Sequence, residues 1–188
     1  MTPTDARIAA VAAEQFHENG IAATGVDALS RAAGISKRTL YQRFGSKDAL
    51  IVAAYDSLDL PVYQMFTGPA EAAGPAPRDQ LDGLFAQLER MVKLPEFRGC
   101  PFSNAAAELA DPDHPAHAVV RRHKERLRRW IRMRAREAGA ADPERLSRQL
   151  MLLFAGAQSQ ALALRSAGPV RDARDVAREL VDTAVAGR

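Results

Sequence analysis

Residues 24 to 47 read Thr24-Gly-Val-Asp-Ala-Leu-Ser-Arg-Ala-Ala-Gly34-Ile-Ser-Lys-Arg-Thr-Leu-Tyr41-Gln-Arg-Phe-Gly-Ser-Lys47. The pattern predicts two short helices joined by a tight turn at Gly34, because glycine readily takes the positive φ that ends a helix. Thr24 and Asp27 have the spacing of a capping box for the first helix. Ser36 stands where a side chain would cap the second. The arrangement is that of a helix-turn-helix motif.

The second of these helices, predicted from about Lys37 to Phe44, has an outward face suited to a DNA groove. Leu40 and Phe44 are four residues apart and should face inward. The remaining side chains point outward, and they are Lys37, Arg38, Thr39, Tyr41, Gln42 and Arg43. Basic and amide groups of this kind hydrogen-bond guanine and adenine edges, and hydroxyl groups reach phosphates.

Charge is concentrated in the same segment. Five basic residues and no acid lie between Ala28 and Lys47, whereas the whole chain has 26 Lys and Arg against 23 Asp and Glu, a net charge of +3. One-signed charge on a small helical module indicates phosphate binding. Ser46 should cap a further helix, whose amide-rich start together with Lys47 could hold a backbone phosphate. The alternative is a basic face that is merely solvated.

Residues from about 5 to 55 resemble the DNA-binding domain of TetR-family transcriptional regulators. The resemblance lies in the run Ala32-Ala-Gly34-Ile-Ser-Lys37-Arg-Thr-Leu-Tyr41-Gln-Arg-Phe44-Gly-Ser-Lys47-Asp-Ala-Leu50. It implies phosphate contacts from Thr24, Tyr41 and Lys47, and base contacts from among Lys37, Arg38, Thr39 and Gln42. The DNA-binding set predicted from the residues and the resemblance together is Thr24, Ser36, Lys37, Arg38, Thr39, Tyr41, Gln42, Arg43 and Lys47. The family commonly has a second aromatic at the position of Gln42 and His at that of Arg43, so the operator sequence stays open.

The rest of the chain predicts an all-α protein. Its 188 residues are 47% hydrophobic, enough for a sizeable core, and almost no period-two alternation indicates strands. We expect an N-terminal three-helix DNA-binding head at residues 1–50 and a C-terminal helical bundle for ligand binding and dimerisation at 51–188, with about nine helices in all. Pro61 should end or kink the fourth helix, and residues 68–78 should form a loop. Asp79 should cap the next helix, and the last helix should begin near Arg171.

The bundle contains large apolar residues with a few polar groups among them, which is the composition of a small-molecule site. That a pocket exists among them is what the resemblance implies, and plain core is the alternative. The predicted ligand-binding set is Phe85, Leu88, Met91, Phe102, Asn104, Trp130, Met133, Phe154 and Gln158. The resemblance also implies that the final two helices form a four-helix interface with a second copy. For that interface we expect Leu150, Phe154, Ala157, Ala161, Val176, Leu180 and Val181, with an intramolecular core as the alternative.

Other features favour ordinary structural roles. A long helix from about Ala116 to Ala138 is rich in arginine, which suits a solvated face more than a second DNA surface, with Glu125 and Arg129 as one internal pair. Three histidines, His114, His117 and His123, lie near acidic residues but lack the spacing of a metal motif. The single Cys100 suits a reducing compartment. No enzyme motif is present, so we expect no catalysis, no cofactor and no metal.

These observations predict a homodimeric, sequence-specific DNA-binding transcriptional regulator in the cytoplasm. We expect a repressor that a small, largely apolar effector releases from a palindromic operator. No run of residues approaches the length of an apolar membrane span, so no membrane partner is expected. Two alternatives remain: a ligand-independent dimer whose body docks another protein, and a helical metal-dependent enzyme that uses the histidine cluster.

Overall fold

The computed structural model describes residues 1–187, and within them the chain forms nine α-helices and no strand. The predicted fold class and helix number are confirmed. None of the described helices has the length and apolarity needed to cross a membrane. The helices are α1 Pro3–Asn19, α2 Val26–Ala33, α3 Lys37–Phe44, α4 Lys47–Glu71, α5 Pro77–Met91, α6 Pro101–Glu108, α7 Ala116–Glu137, α8 Pro143–Leu164 and α9 Gly168–Ala186.

The chain divides into two compact units. The head unit comprises Met1–Val62 and Pro101–His123, and the body unit comprises Tyr63–Cys100 and the chain from Lys124 onward. This division differs from a boundary at residue 50, because α4 and α7 are continuous helices that each contribute to both units. A functional division between DNA binding and ligand binding at residue 50 stays a prediction.

The core of the head unit forms where the apolar stripes of its helices meet. Ile8 and Phe16 of α1, Leu29 of α2 and Leu40 of α3 are all at most 2% exposed. Burying an aliphatic or aromatic side chain of this size stabilises a fold by about 1.5–3 kcal/mol. The first three helices are therefore held by their shared core, which leaves the outer face of α3 free for another role.

The core of the body unit is organised around Phe154 of α8. Its ring meets Phe66 of α4 at 5.2 Å and Phe85 of α5 at 5.8 Å, both edge-to-face. Edge-to-face pairs at such distances add about 0.5–1.5 kcal/mol beyond the burial itself. Leu84 and Leu88 of α5 are fully buried in the same unit. These contacts fix α4, α5 and α8 to one another.

The helix α4 does not end at Pro61, because it continues through Pro61 and Pro69 to Glu71, and a kink at Pro61 stays a prediction. A proline inside a helix leaves the carbonyl four residues earlier without its hydrogen bond. For Pro69 that carbonyl belongs to Met65, and the side-chain Nε2 of Gln87 donates to it at 3.1 Å. A neighbouring helix thus supplies the missing donor, and the predicted loop at 68–78 shrinks to residues 72–76.

Two other helices begin earlier than predicted. The helix α5 starts at Pro77 rather than at a cap by Asp79, because proline at a first helical position has no hydrogen bond to lose. The helix α9 starts at Gly168, three residues ahead of Arg171, and it too carries a proline in its first turn.

Candidate DNA-binding surface

The turn between α2 and α3 is closed by backbone geometry that the sequence predicts. Gly34 has φ 66° and ψ 35°, the left-handed conformation. The amide of Gly34 donates to the carbonyl of Arg31 at 3.1 Å and that of Ile35 to Ser30 at 3.0 Å, which ends α2. The hydroxyl of Ser36 then accepts from the amide of Thr39 at 3.0 Å and starts α3. The predicted helix ends on both sides of the turn are confirmed.

The predicted recognition face of α3 lies on the surface. Leu40 is completely buried and fixes the rotation of the helix about its axis. Exposed side chains on the outer face are Lys37, Arg38, Tyr41, Gln42 and Arg43, while Thr39 is half-buried. Since α3 has only eight residues and one fully buried anchor, nearly all its polar groups remain available to a partner.

The start of α4 is tied to the turn before α2. Ser46 caps α4 by accepting from the amide of Ala49 at 3.0 Å. The ammonium of Lys47 donates to the carbonyl of Ile21 at 2.8 Å, so this predicted phosphate ligand is held near the helix start with two further N–H donors. On the same turn, Glu108 of α6 accepts from the amides of Ile21 at 2.6 Å and Ala22 at 3.2 Å. No sequence pattern indicates this role of Glu108.

The cations of α3 differ in how they are held. Lys37 forms an ion pair with Asp27 of α2 at 2.6 Å, with both side chains more than half exposed. Arg43 forms one with Asp5 of α1 at 2.7 Å, and the Asp5 side chain is only 18% exposed. Arg38 makes no ion pair or hydrogen bond with any residue that the structure describes. The helix therefore presents one unpaired arginine between two paired cations.

Asp5 is an ordered anion at the start of α1. Its Oδ2 accepts from the hydroxyl of Thr2 at 2.7 Å and from the amide of Thr2 at 3.0 Å, which completes a capping box. These hydrogen bonds, with those from Arg43, lower the pKa of Asp5 to about 2. Thr2-x-x-Asp5 is a recognisable capping pattern, so the sequence carried a signal for this residue that our prediction missed.

Thr24 does not cap α2. Its hydroxyl is buried and donates to the carbonyl of Gly20 at 2.6 Å, and the N-cap of α2 is Gly25, which has no side chain to use. The predicted capping box with Asp27 is therefore wrong. The predicted contact between Thr24 and DNA remains untested, but its side chain is buried, in contrast to the exposed residues of α3.

The predicted ligand-binding residues are divided between the two units. Phe102 and Asn104 belong to the head unit, where Phe102 stacks on His123 at 3.7 Å. In the body unit, the indole nitrogen of Trp130 donates to Glu71 at 2.7 Å. Met133 is 49% exposed on α7, so it is not part of an enclosed pocket there. The other body residues of the set are buried or half-buried, and they are Phe85, Leu88, Met91, Phe154 and Gln158.

A cavity of about 300 Å³ lies within the body unit between α5, α8 and α9. Its apolar wall includes Phe85 from the predicted ligand set, and Leu150 and Val181 from the predicted dimer set. On its rim, burial would raise the pKa of Asp82, but hydrogen bonds from Arg174 at 2.7 and 2.5 Å and from Arg178 at 2.7 Å lower it. Both arginines are thus paired with Asp82 of the same chain.

Most residues predicted for the dimer interface are buried within the single chain. Exposure is at most 6% for Leu150, Phe154, Ala157, Ala161 and Val181. These five are buried in the core of the body unit, so they present little surface to a second copy, and the interface itself stays a prediction. Val176 is 43% exposed and Leu180 is half-buried. The strongest apolar stripe of each helix packs against its own chain, and the periodicity could not tell that stripe from a weaker one facing outward.

The three histidines near the start of α7 and several arginines of α7 have structural partners. The ring Nε2 of His117 lies 3.0 Å from the carbonyl of Asp111, and the ring Nδ1 of His123 lies 3.0 Å from Asp59. His114 accepts from the amide of Ala116. Across residues 1–187, no three His, Cys, Asp or Glu side chains are close enough to share a metal ion. Glu125 pairs with Arg128 at 2.9 Å, which corrects the predicted pair with Arg129.

Together these features define a class of protein. A recognition helix is fixed by a buried leucine, follows a left-handed glycine turn and presents exposed cations, as in a helix-turn-helix DNA-binding protein. The family follows from the comparison with known sequences. Residues 8–54 match the model of the bacterial regulatory proteins of the tetR family, and residues 77–177 match that of the tetracyclin repressor-like C-terminal domain. The chain belongs to the TetR family of transcriptional regulators.

Solved structures agree with this assignment. The chain is similar to a putative TetR transcriptional regulator from Streptomyces avermitilis, with 33% identity, a TM-score of 0.85 and coverage of 97% of this chain and 98% of the other. It is also similar to a TetR-family regulator from Streptomyces coelicolor, with 27% identity, a TM-score of 0.80 and coverage of 98% and 95%. A regulator from Chloroflexus aurantiacus has 26% identity, a TM-score of 0.83 and coverage of 97% and 96%. No curated protein sequence matches the chain.

Proposed function

We propose that this protein is a homodimeric cytoplasmic repressor that binds a palindromic operator and releases it when a small, largely apolar effector binds. The observation that carries the proposal is the exposed outer face of α3, with its unpaired Arg38. Each recognition helix of the dimer would enter a major groove, with the two half-sites about 34–36 Å apart.

The residues of this face have different parts in the proposed complex. Arg38 and Gln42 are four residues apart, so they project from the same side of α3. Their donors suit guanine and adenine edges, and Lys37 and Thr39 are the further candidates for base contacts. Tyr41 and Lys47 are proposed as phosphate ligands. Ser36 and Thr24 are proposed to contact phosphates through the backbone, since the Ser36 hydroxyl caps α3 and the Thr24 hydroxyl is buried.

The proposed dimer uses the outer faces of α8 and α9. Leu152 is 75% exposed and Val176 is 43% exposed, and Gly156 of α8 is exposed and has nothing within 4 Å of an added Cβ. Large exposed apolar groups beside small residues allow two helices to approach closely. This face takes the place of the buried residues named from the sequence, and only Val176 and Leu180 are kept from that set.

The effector proposal is supported by Gln158 of α8. Its side chain is 4% exposed and makes no hydrogen bond with any residue among 1–187. Its carboxamide is therefore available to hydrogen-bond a polar group of a bound molecule. Gln158 lies one turn after Phe154, whose ring packs against Phe66, so the two side chains lie on the same face of α8. An effector with one polar group on an apolar frame fits this chemistry, and it acts only if it prefers one dimer state.

The experiment is a selection of binders from a random pool of DNA duplexes at physiological salt, followed by binding measurements at higher salt. We expect a palindrome with two spaced half-sites, and weaker binding as salt rises because phosphate contacts release counterions. Recovery of no preferred sequence, with only salt-sensitive binding, would contradict the proposal. The recovered duplex is then the probe for effector screening.

A further inference from the structure

The recognition helix carries an arginine that the head unit already holds in place. The Nη1 of Arg43 lies 2.7 Å from Oδ1 of Asp5, a residue of a different helix. The side chain of Asp5 is 18% exposed and that of Arg43 is 35% exposed. Such a pair differs from an ordinary surface contact, because its carboxylate is itself fixed by other groups.

The position of Asp5 is set by the first turn of α1. One carboxylate oxygen accepts two hydrogen bonds from Thr2, and the other is left for the guanidinium of Arg43. The amide of Asp5 in turn donates to the hydroxyl of Thr2 at 3.2 Å. With every oxygen engaged, the carboxylate is an ordered anchor point against the end of α3.

Arg43 keeps donors for a second partner. A guanidinium has five N–H donors in a rigid plane, and Nη1 of Arg43 contacts Asp5. We propose that Asp5 is a positioning residue for DNA binding: it holds the guanidinium of Arg43 in orientation for a backbone phosphate of the operator. An ordered side chain loses less rotamer freedom when it binds, so the contact becomes stronger. This inference rests on the proposed function.

Electrostatic repulsion between Asp5 and the DNA phosphates predicts the opposite effect on binding. A carboxylate near DNA repels phosphates, and its removal should then tighten binding to any sequence. The chain offers a matched control in Asp27, which lies in the first turn of α2 and pairs with Lys37 of the same recognition helix. Both side chains of that pair are more than half exposed, so this carboxylate holds its partner weakly.

The experiment compares Asp5→Asn with Asp27→Asn in the full-length protein. Both variants lose one negative charge, and asparagine keeps an oxygen that can accept from Thr2. Binding is measured to the duplex recovered by the selection above and to a scrambled duplex, with melting curves to show that each variant is folded. We expect Asp5→Asn to bind the recovered duplex about 3- to 10-fold more weakly while binding the scrambled duplex at least as tightly. Asp27→Asn should bind both duplexes equally well or more tightly.

Two further variants separate positioning from loss of stability. Arg43→Lys keeps the charge but lacks the planar fork, so it should lose affinity for the recovered duplex and keep its binding to the scrambled one. In an Arg43→Ala background, Asp5→Asn should cause no further loss. Tighter binding of Asp5→Asn to both duplexes, or an equal loss in the Arg43→Ala background, would overturn the inference. A wild-type protein without sequence preference would overturn both this inference and the proposed function, whereas the other outcomes leave the proposed function intact.

Discussion

The left-handed Gly34 sets the angle at which the recognition helix leaves α2. A side chain at this position would meet no atom within 4 Å, so space does not demand glycine. The backbone conformation favours glycine here, because φ 66° is unfavourable by about 1–2 kcal/mol for residues with a Cβ. The cost of a substitution here therefore isolates a backbone effect from packing.

Gly34→Ala should lower the free energy of unfolding by about 1 kcal/mol, since alanine is strained in the left-handed region. Gly34→Asn should lose distinctly less, because asparagine tolerates this conformation. Urea denaturation followed by circular dichroism measures both variants. Equal losses for alanine and asparagine would show that the conformation of Gly34 is not what stabilises the turn.

Single residues also show where local sequence rules work. Ser36 and Gly34 behave as their patterns predict, because the groups that satisfy them lie within five residues along the chain. Thr24 has an equally good capping pattern, yet its hydroxyl bonds to the carbonyl of Gly20. Asp5 has a local capping partner in Thr2, whereas its contact with Arg43, 38 residues away, has no signal in residue spacing. A rule based on spacing cannot choose between a local acceptor and one that the fold brings close.

At the scale of helices, α4 shows how a neighbour can override a helix-breaking residue. The sequence predicts an end or a kink at Pro61, but burial of Val62 and Phe66 favours continued helix. At Pro69 the missing backbone donor is replaced by the carboxamide of Gln87 from α5. The loop predicted from residue 68 fails at its start because the group that compensates for Pro69 lies on another helix.

A double-mutant cycle can test whether Gln87 compensates for the amide that is missing at Pro69. Gln87→Ala should destabilise the protein by about 1 kcal/mol, because the carbonyl of Met65 then has no donor from the chain. In a Pro69→Ala background the residue at 69 regains an amide that bonds the same carbonyl, so Gln87→Ala should cost much less. Urea denaturation of the four proteins gives the coupling energy. Additive losses would contradict the role assigned to Gln87.

The helix α6 is joined to the turn before α2 through Glu108. Glu108→Ala should speed hydrogen exchange at the amides of Ile21 and Ala22, which lose their shared acceptor, and should lower stability by about 1 kcal/mol. Glu96→Ala is the control, since Glu96 is exposed and makes no interaction with the described residues. The measurement is amide exchange followed by NMR. Unchanged exchange at both amides would show that Glu108 does not hold this turn.

At the scale of the whole molecule, fold class, helix number and recognition helix were predictable from the sequence, whereas the surfaces of the body were not. Both faces of α8 and α9 carry apolar residues, and most of the stripe that we predicted for the interface is buried within the single chain. Leu150 is buried whereas Leu152, two positions away, is exposed, and for that reason the proposed interface uses the other stripe. Which stripe faces inward depends on how the helices pack, and periodicity does not determine this.

Leu152→Glu should convert the protein to a monomer without unfolding it, because the change places a charge on the proposed interface. Met133→Glu is the control, since Met133 is an exposed apolar residue of α7 outside that surface. Analytical ultracentrifugation gives the mass and circular dichroism the helix content. A Leu152→Glu protein that remains dimeric would place the interface elsewhere.

The proposed function depends most on recognition of DNA sequence by the outer face of α3. The direct measurement is the affinity of Arg38→Ala for the selected duplex, with Arg129→Ala as control because Arg129 is exposed on α7 without a partner among the described residues. We expect Arg38→Ala to lose about 1–3 kcal/mol, roughly 5- to 150-fold, and to relax discrimination at one base of each half-site. Arg129→Ala should bind like the wild type. Equal affinities for Arg38→Ala and Arg129→Ala, with base preferences unchanged, would contradict the assignment of α3 as the recognition helix.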